Sequence, residues 1–190
     1  MRCLSHLSLS ILLLLVCSAS VMAQENRCAL NLNQSPELGG LRLGMTTEQV
    51  RARFRIVERE PADDYGVASL RLEPALSRSR EATVRDISIE LIKERIVSIR
   101  LVYTASTSAA DYREFTAGLS QSLRLPPAWK AVTVGSMVTE MKMECAGFKI
   151  SARLIGAKIP VVYLSALEAE QTLSRRQAEK ERRLRDFFKQ

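Results

Sequence analysis

The sequence predicts an α+β protein, with a largely antiparallel sheet, helices packed on one face of it, and a charged helix at the C-terminus. The prediction depends on two observations. Apolar and polar residues alternate in many segments between residues 67 and 164, which is typical of strands with one buried face. A segment of helical spacing precedes each group of strands, so the chain divides into tandem helix-plus-strand halves, about 39–104 and 105–165. The expected order is helix, three strands, helix, three or four strands, and a final helix.

Residues 1–23 have the layout of a secretory signal peptide. Arg2 supplies a positive charge, the run from Leu7 to Val16 is almost wholly apolar, and a cleavage site ends at Ala23. A retained membrane anchor is one alternative, although the apolar run is short for a bilayer. A lipoprotein attached through Cys17 is another, although Val16 is not the small residue that such signals require. We expect an exported protein, periplasmic in a Gram-negative bacterium.

Two cysteines, Cys28 and Cys145, remain after the signal is removed. Because exported proteins fold in an oxidising compartment, we expect one disulfide between them, with two unpaired thiols as the alternative. The bridge would tie the polar N-terminal loop, residues 24–38, to the body of the protein. Closing so long a loop stabilises the fold by on the order of 4–5 kcal/mol in chain-entropy terms.

The first helix is predicted from the stretch GGLRLGMTTEQVRARF at residues 39–54. Thr46 is a good N-cap, and Gln49 three residues later completes a capping box. Met45 and Val50 flank the cap as a hydrophobic staple. Three arginines point away from the apolar side of this helix and are candidates for contact with a partner: Arg51, Arg53 and Arg55.

Residues 58–66 are predicted to form a loop, because they are polar and contain Pro61 and Gly66. Alternating segments follow at Val67–Leu72, Val84–Leu91 and Ile96–Tyr103. The charged tip Lys93-Glu94-Arg95 separates the last two of these segments, which indicates a hairpin.

The second half begins with helical spacing over residues 109–123, which Pro126 and Pro127 bring to an end. Alternation resumes after Trp129. The tight turn Ala146-Gly147 separates two strands, and a short last strand is predicted at Val161–Leu164.

Residues 166–190 are predicted to form a charged C-terminal helix. They have few apolar residues and no sustained apolar stripe, so we expect a solvated helix that projects from the body. Its aromatic and basic end is a candidate for docking on a partner or a membrane surface, with a frayed tail of no role as the alternative. The candidate residues there are Arg182, Arg183, Arg185, Phe187 and Phe188.

Much common chemistry is excluded by residue type. The one histidine, His6, lies in the signal, which excludes catalysis or metal binding by histidine in the mature chain. The sequence contains no Ser-x-x-Lys and no glycine-rich phosphate loop, and two cysteines alone do not form a zinc site. We therefore predict no catalytic residue, no cofactor and no metal ligand. Asp63 and Asp64 form a carboxylate pair, which we interpret as solvated loop acids.

The chain is basic, with a net charge of +7, but the charge alone does not predict a nucleic-acid partner. Aromatic residues make up only 5% of the chain, acids balance the arginines of the C-terminal segment, and the protein is expected to be exported. We therefore expect no nucleic acid and interpret most of the charge as a solvated surface.

Leu43-Gly44-Met45-Thr46, followed by Gln49-Val50, resembles the helix start of the small SmpA/OmlA-like envelope proteins. Those proteins are accessory subunits of outer-membrane protein assembly. The tandem pattern is also similar to that of beta-lactamase-inhibitor-like domains. The resemblance implies a helix followed by an antiparallel sheet and a role in the envelope; it carries over no functional residues.

Our leading hypothesis is a non-catalytic module that binds an envelope protein through its exposed sheet face or its C-terminal helix. The first alternative is a carboxylate-based hydrolase, which a buried pair of acids in a concave pocket would favour. The second is a protein that binds anionic surfaces through its arginines, including weak contact with a membrane surface.

Overall fold

The computed structural model describes residues 28–74, 84–104, 112–134, 137–155 and 159–187. The predicted signal peptide, the first residues of the predicted N-terminal loop, the predicted helix start at 109–111, and Phe188 lie outside these ranges.

Within the described residues, eight strands form one antiparallel sheet. The strands are β1 Ile56–Glu60, β2 Val67–Leu72, β3 Val84–Ile92, β4 Arg95–Tyr103, β5 Lys130–Val134, β6 Met137–Glu144, β7 Phe148–Ile155 and β8 Ile159–Ala166. The helices are α1 Thr47–Arg51, α2 Tyr112–Leu123 and α3 Leu167–Phe187, with a short 3₁₀ helix at Leu32–Gln34. The α+β class and the antiparallel sheet are therefore confirmed.

The strand order is β1-β2-β3-β4-β8-β7-β6-β5. One short helix precedes each run of four consecutive strands, and each run forms a meander. The last strands of the two runs, β4 and β8, pair at the centre. This central pairing joins the two runs into one continuous sheet.

One face of the sheet is apolar and buried. A single row of side chains crosses six strands in direct register and is at most 1% exposed: Leu70, Ile89, Ile99, Leu164, Ile150 and Met143. Residues from the N-terminal segment, from α1 and from α2 belong to the same core, among them Leu41, Val50 and Leu119. Burying each large aliphatic side chain contributes about 1.5–3 kcal/mol relative to its exposure to water.

The start of α1 has the predicted capping box. The Thr46 hydroxyl oxygen accepts a hydrogen bond from the Gln49 backbone N–H at 3.4 Å, and the Gln49 Oε1 accepts from the Thr46 N–H at 2.9 Å. Val50 is completely buried. The motif-like stretch at residues 39–54 therefore positions one five-residue helix on the core.

The N-terminal segment, which begins the described part of the chain at Cys28, is attached to the turn between β6 and β7. Cys28 and Cys145 lie at disulfide distance, with their Cα atoms 4.5 Å apart across a sequence separation of 117. The Ala146 N–H also donates to the Leu30 carbonyl at 2.9 Å. A Cβ at Gly147 would overlap the Leu32 backbone nitrogen and lie 3.0 Å from the Leu32 Cα, so only glycine fits there.

Several sequence predictions differ from the structure or are not confirmed by it. The C-terminal helix, expected to project from the body, instead contacts it, because Glu170, Arg176 and Lys180 have partners on β7, β8 and the β1–β2 loop. The short last strand expected at Val161–Leu164 extends over Ile159–Ala166. Residues 58–60, predicted as part of a loop, belong to β1, an edge strand whose residues after Ile56 are all exposed. Period-two alternation is absent there because neither face of that strand is buried. The predicted placement of all helices on one face is not confirmed, because Glu170 of α3 bonds to side chains of the opposite face.

Candidate functional site

The second face of the sheet is lined by polar side chains, and we call it the polar face. Its first row crosses the sheet in register as Glu58, Arg71, Ser88, Arg100, Tyr163, Ser151, Lys142 and Lys130. Its second row is Glu60, Ser69, Glu90, Ser98, Ser165, Lys149 and Glu144. A groove of about 480 Å³ lies over the parts of both rows that belong to β1–β4, β8 and β7, and Lys142, Lys130 and Glu144 do not line it. The strands present these side chains because successive residues of a strand point to opposite faces of the sheet, so the residues between the core positions lie on the polar face. Most of them are exposed or partly exposed, while Ser151 and Ser165 are buried.

Ion pairs link neighbouring strands on the β1–β4 part of the polar face. The Arg71 guanidinium lies 3.1 Å from the Glu58 carboxylate and 3.7 Å from that of Asp86. The Arg100 guanidinium lies 3.6 Å from the other oxygen of Asp86. Exposed pairs of this kind contribute roughly 0–1 kcal/mol each. Their main consequence is to hold two arginines in fixed positions over the groove.

A second set of contacts orders the β6–β8 part. The Arg153 guanidinium nitrogen lies 3.2 Å from the Glu140 carboxylate, and its Cζ lies 5.5 Å from the centre of the Tyr163 ring. Tyr163 in turn lies directly opposite Arg100 across the β4–β8 pairing. The centre of the groove therefore presents a tyrosine between two arginines.

The first turns of α3 form one wall of the groove. The Ser165 hydroxyl donates to Glu170 Oε1 at 2.6 Å, and the Lys149 ammonium lies 2.8 Å from the same carboxylate. Ala169 and Leu173 also line the groove. These contacts hold α3 against the middle of the polar face.

Farther along, α3 is attached to the loop between β1 and β2. The Arg176 guanidinium donates to the Tyr65 carbonyl, and the Lys180 ammonium pairs with Asp64. The hydrogen bond from Lys180, together with its charge, lowers the pKa of Asp64, and the same bond raises the pKa of Lys180. Asp63 shapes this loop by accepting from two backbone N–H groups, those of Tyr65 and Val67, at 2.8 and 2.9 Å.

The remaining part of α3 carries the predicted basic candidates. Arg182, Arg183 and Arg185 are exposed, and Arg183 pairs with Glu179 at 2.8 Å. Phe187 is the last helical residue, but its side chain, like Phe188, lies outside the description. These arginines lie beyond Lys180, past the contacts with the β1–β2 loop.

Two of the three arginines near α1 have local partners. Arg53 donates to the Gly40 carbonyl at 3.4 Å, and the Arg55 guanidinium lies 3.3 Å from Glu73. Arg51 is exposed in the last turn of α1, where a cation interacts favourably with the helix dipole. Because α1 packs on the apolar face while α3 meets the polar face, the structure does not bring these arginines together with those of α3.

The side chains of the polar face can form ion pairs and hydrogen bonds. Glu60 and Glu90 lie on strands separated by β2, roughly 10 Å apart between strand axes, so they are not in contact. Among the described residues, no group of three or more His, Cys, Asp or Glu is arranged to hold a metal. No described helix is both long and apolar enough to cross a bilayer.

Comparison with protein-family models, with curated proteins and with solved structures gave no match to this chain. The polar-face residues were not singled out individually from the sequence. In the sequence they are only the polar residues of each alternating segment. They form one continuous surface because β4 pairs with β8 and joins the two groups of strands.

Proposed function

We propose that this protein is an exported, periplasmic, non-catalytic module that binds another protein of the cell envelope through its polar face. The observation that carries this proposal is the groove lined by ordered charged, hydroxyl and tyrosine side chains on a sheet whose other face is occupied by the core. Arginine and tyrosine are among the residues most enriched at the energetic centres of protein interfaces, and here they occupy the middle of the groove.

A binding role fits the carboxylates better than a hydrolytic one. Glu58, Asp86, Glu140 and Glu170 each lie within ion-pair distance of an arginine or lysine. The carboxylates therefore serve as fixed charges for recognition.

The two helix-plus-four-strand runs also support a relationship to SmpA/OmlA-like and beta-lactamase-inhibitor-like proteins. We include this relationship in the proposal on the strength of the Leu43–Val50 stretch and the repeated element order. We accordingly propose that the partner is a protein of envelope assembly or an envelope enzyme that an inhibitor would bind.

Position-specific cross-linking in the native envelope tests the proposal. A photoreactive amino acid at Tyr163 reports on the groove, and the same amino acid at Gln121, exposed on α2, is the matched control. We expect discrete protein adducts from position 163 and none from position 121. Adducts from 121 alone, or none from 163 together with substrate turnover by the pure protein, would overturn the proposal.

A second candidate, weak contact with an anionic membrane surface, is favoured by the exposed arginines at the end of α3. Its test is co-sedimentation with vesicles containing anionic lipid. Replacing Arg182, Arg183 and Arg185 by Gln should reduce binding, and salt should weaken binding by the intact protein. Salt-insensitive binding, or binding that the triple variant retains, would contradict it.

A further inference from the structure

The groove on the polar face carries an excess of negative charge, although the chain as a whole has a net charge of +7. Each cation that lines the groove lies within ion-pair distance of a carboxylate; these cations are Arg71, Arg100, Lys149 and Arg153. Two glutamates that line it, Glu60 and Glu90, are exposed, and their side chains have no hydrogen bond or ion pair with any residue of the described ranges. The groove therefore offers two unpaired carboxylates to a ligand.

The two glutamates lie on either side of Ser69, because both are register partners of that β2 residue. Glu60 is on β1 and Glu90 on β3, so their strand axes are roughly 10 Å apart. An ammonium or guanidinium group above Ser69 can therefore reach both carboxylates and the serine hydroxyl. Two cations of α3, Arg176 and Lys180, do not serve these carboxylates, because they bond to the β1–β2 loop.

Apolar side chains line the same groove. Val97 lies next to Ser98, the register partner of Glu90, at an irregularity of the β3–β4 pairing. Ala169 and Leu173 line the groove from α3. Lysine and arginine bury their aliphatic stems along apolar surface while the charged group stays with polar partners. Carboxylates, a hydroxyl and apolar surface in one groove are therefore the contacts that suit a lysine or arginine side chain.

A second contact point lies at the other end of the groove, on β7. Ser151 is 3% exposed, yet it lines the groove, and its hydroxyl has no hydrogen-bond partner among the described residues. The hydroxyl oxygen keeps a small exposed area, because every fully buried side-chain oxygen in these ranges has a partner. It is therefore available to a polar group of a ligand. The strand order places Ser151 four strands from Ser69, roughly 19 Å away, which an extended segment of about six residues spans.

We propose that the groove binds an extended segment of the partner protein that carries a lysine or arginine at one end. The basic group lies over Ser69 between Glu60 and Glu90, and its stem lies against the apolar side chains of the groove. About six residues along the segment, a polar group bonds to Ser151. The inference rests on the proposed function, because it names the part of the partner that the polar face recognises. Charge complementarity selects a basic segment, since the cations of the groove already have carboxylate partners.

The test is a titration of the purified, oxidised protein with peptides of about six residues, followed by amide NMR. The peptides consist of serine and threonine with blocked ends and carry one lysine at the first or the last position. Norleucine replaces the lysine in the control peptides. We expect a lysine peptide to shift the amide signals of Ser69, Glu90 and Ser151, and the norleucine peptides to bind more weakly. Glu60→Gln/Glu90→Gln should weaken binding of the lysine peptide by about fivefold to tenfold, because two exposed ion pairs are lost.

Glu114→Gln/Glu144→Gln is the matched control variant, because it removes the same charge from exposed positions that do not line the groove. That variant should bind the lysine peptide as the unsubstituted protein does. Ser151→Ala should weaken binding by about threefold or more through the loss of one hydrogen bond. Circular dichroism and urea unfolding establish that each variant is folded.

Three results would overturn the inference. They are no binding of the lysine peptides at concentrations on the order of 1 mM, equal binding of the lysine and norleucine peptides, and equal binding of the lysine peptide to the two double-glutamine variants. In each case, protein adducts from position 163 would leave the proposed function standing, with a partner segment of other chemistry. Absence of adducts from position 163 would overturn the proposed function whatever the peptides show.

Discussion

Lys130 and Lys142 face each other in direct register on neighbouring antiparallel strands, and both side chains are exposed on the polar face. Antiparallel sheets commonly place opposite charges at such positions, because a like-charge pair is destabilising. The repulsion between the two ammonium groups should therefore lower the free energy of unfolding, which can be measured on the isolated protein.

Lys142→Glu should stabilise the isolated protein by about 0.2–1 kcal/mol, because it converts the like-charge pair into an attractive one. The double variant Lys130→Glu/Lys142→Glu should lose that gain, since two carboxylates then face each other. Urea unfolding of Lys130→Glu, Lys142→Glu, the double variant and the unsubstituted protein completes a double-mutant cycle. A cycle with no coupling, or one whose coupling is unaffected by salt, would contradict the electrostatic interpretation.

Gly147→Ala should destabilise the protein by roughly 1–3 kcal/mol, because the added methyl group overlaps the Leu32 backbone, which the adjacent disulfide holds in place. The matched control is Gly118→Ala, in the middle of α2, where a Cβ meets nothing within 4 Å. That control should stabilise the protein by about 0.5–1 kcal/mol through helix propensity. Equal effects of the two changes in urea unfolding would show that the N-terminal segment does not press on the β6–β7 turn.

Replacing Cys28 and Cys145 together by Ser should lower the free energy of unfolding by on the order of 4–5 kcal/mol, since the bridge closes a loop of 117 residues. Thermal unfolding of the double-serine variant, compared with the oxidised protein, measures the loss. Mass analysis under non-reducing conditions is the accompanying control. Free thiols at both positions, or an unchanged unfolding temperature, would contradict the predicted bridge.

Asp64 should titrate below its ordinary pKa of 3.8, because the Lys180 ammonium bonds to its carboxylate. A lowered folded-state pKa means that this attachment of α3 contributes stability above pH 3.8 and loses it as the pH falls through the lowered value. Carboxyl ¹³C NMR should give a midpoint below 3.8 in the unsubstituted protein and close to 3.8 in Lys180→Met. The same midpoint in both proteins would show that α3 is not attached at this point.

The helices and most of the strands are predictable from the sequence because their signals are local. Thr46 and Gln49 specify the start of α1 within four residues, and alternation marks β3 and β4 wherever one face is buried. The strand β1 was not predicted, because it lacks this local signal. Its residues after Ile56 are exposed on both sides, so the pattern that identifies a strand is missing.

The candidate site was predictable only as an exposed sheet face. No local pattern shows that β4 pairs with β8, since residues as far apart as Ser98 and Ser165 meet there. Without that pairing, Arg100 and Tyr163 are two polar residues on separate strands. The candidates chosen from the sequence were the arginine-rich stretches, and of these Arg53 and Arg55 contact nearby residues of the same chain.

Binding of a protein at the polar face is measured most directly by the rate at which individual lysines are modified. Reductive methylation with mass-spectrometric readout compares Lys142, on the polar face, with Lys93, exposed in the β3–β4 turn. We predict that Lys142 is modified several-fold more slowly in the native envelope than in dilute purified protein, because a bound protein covers it, while Lys93 reacts at the same rate in both. Equal rates for Lys142 in the two settings would contradict protein binding at the polar face.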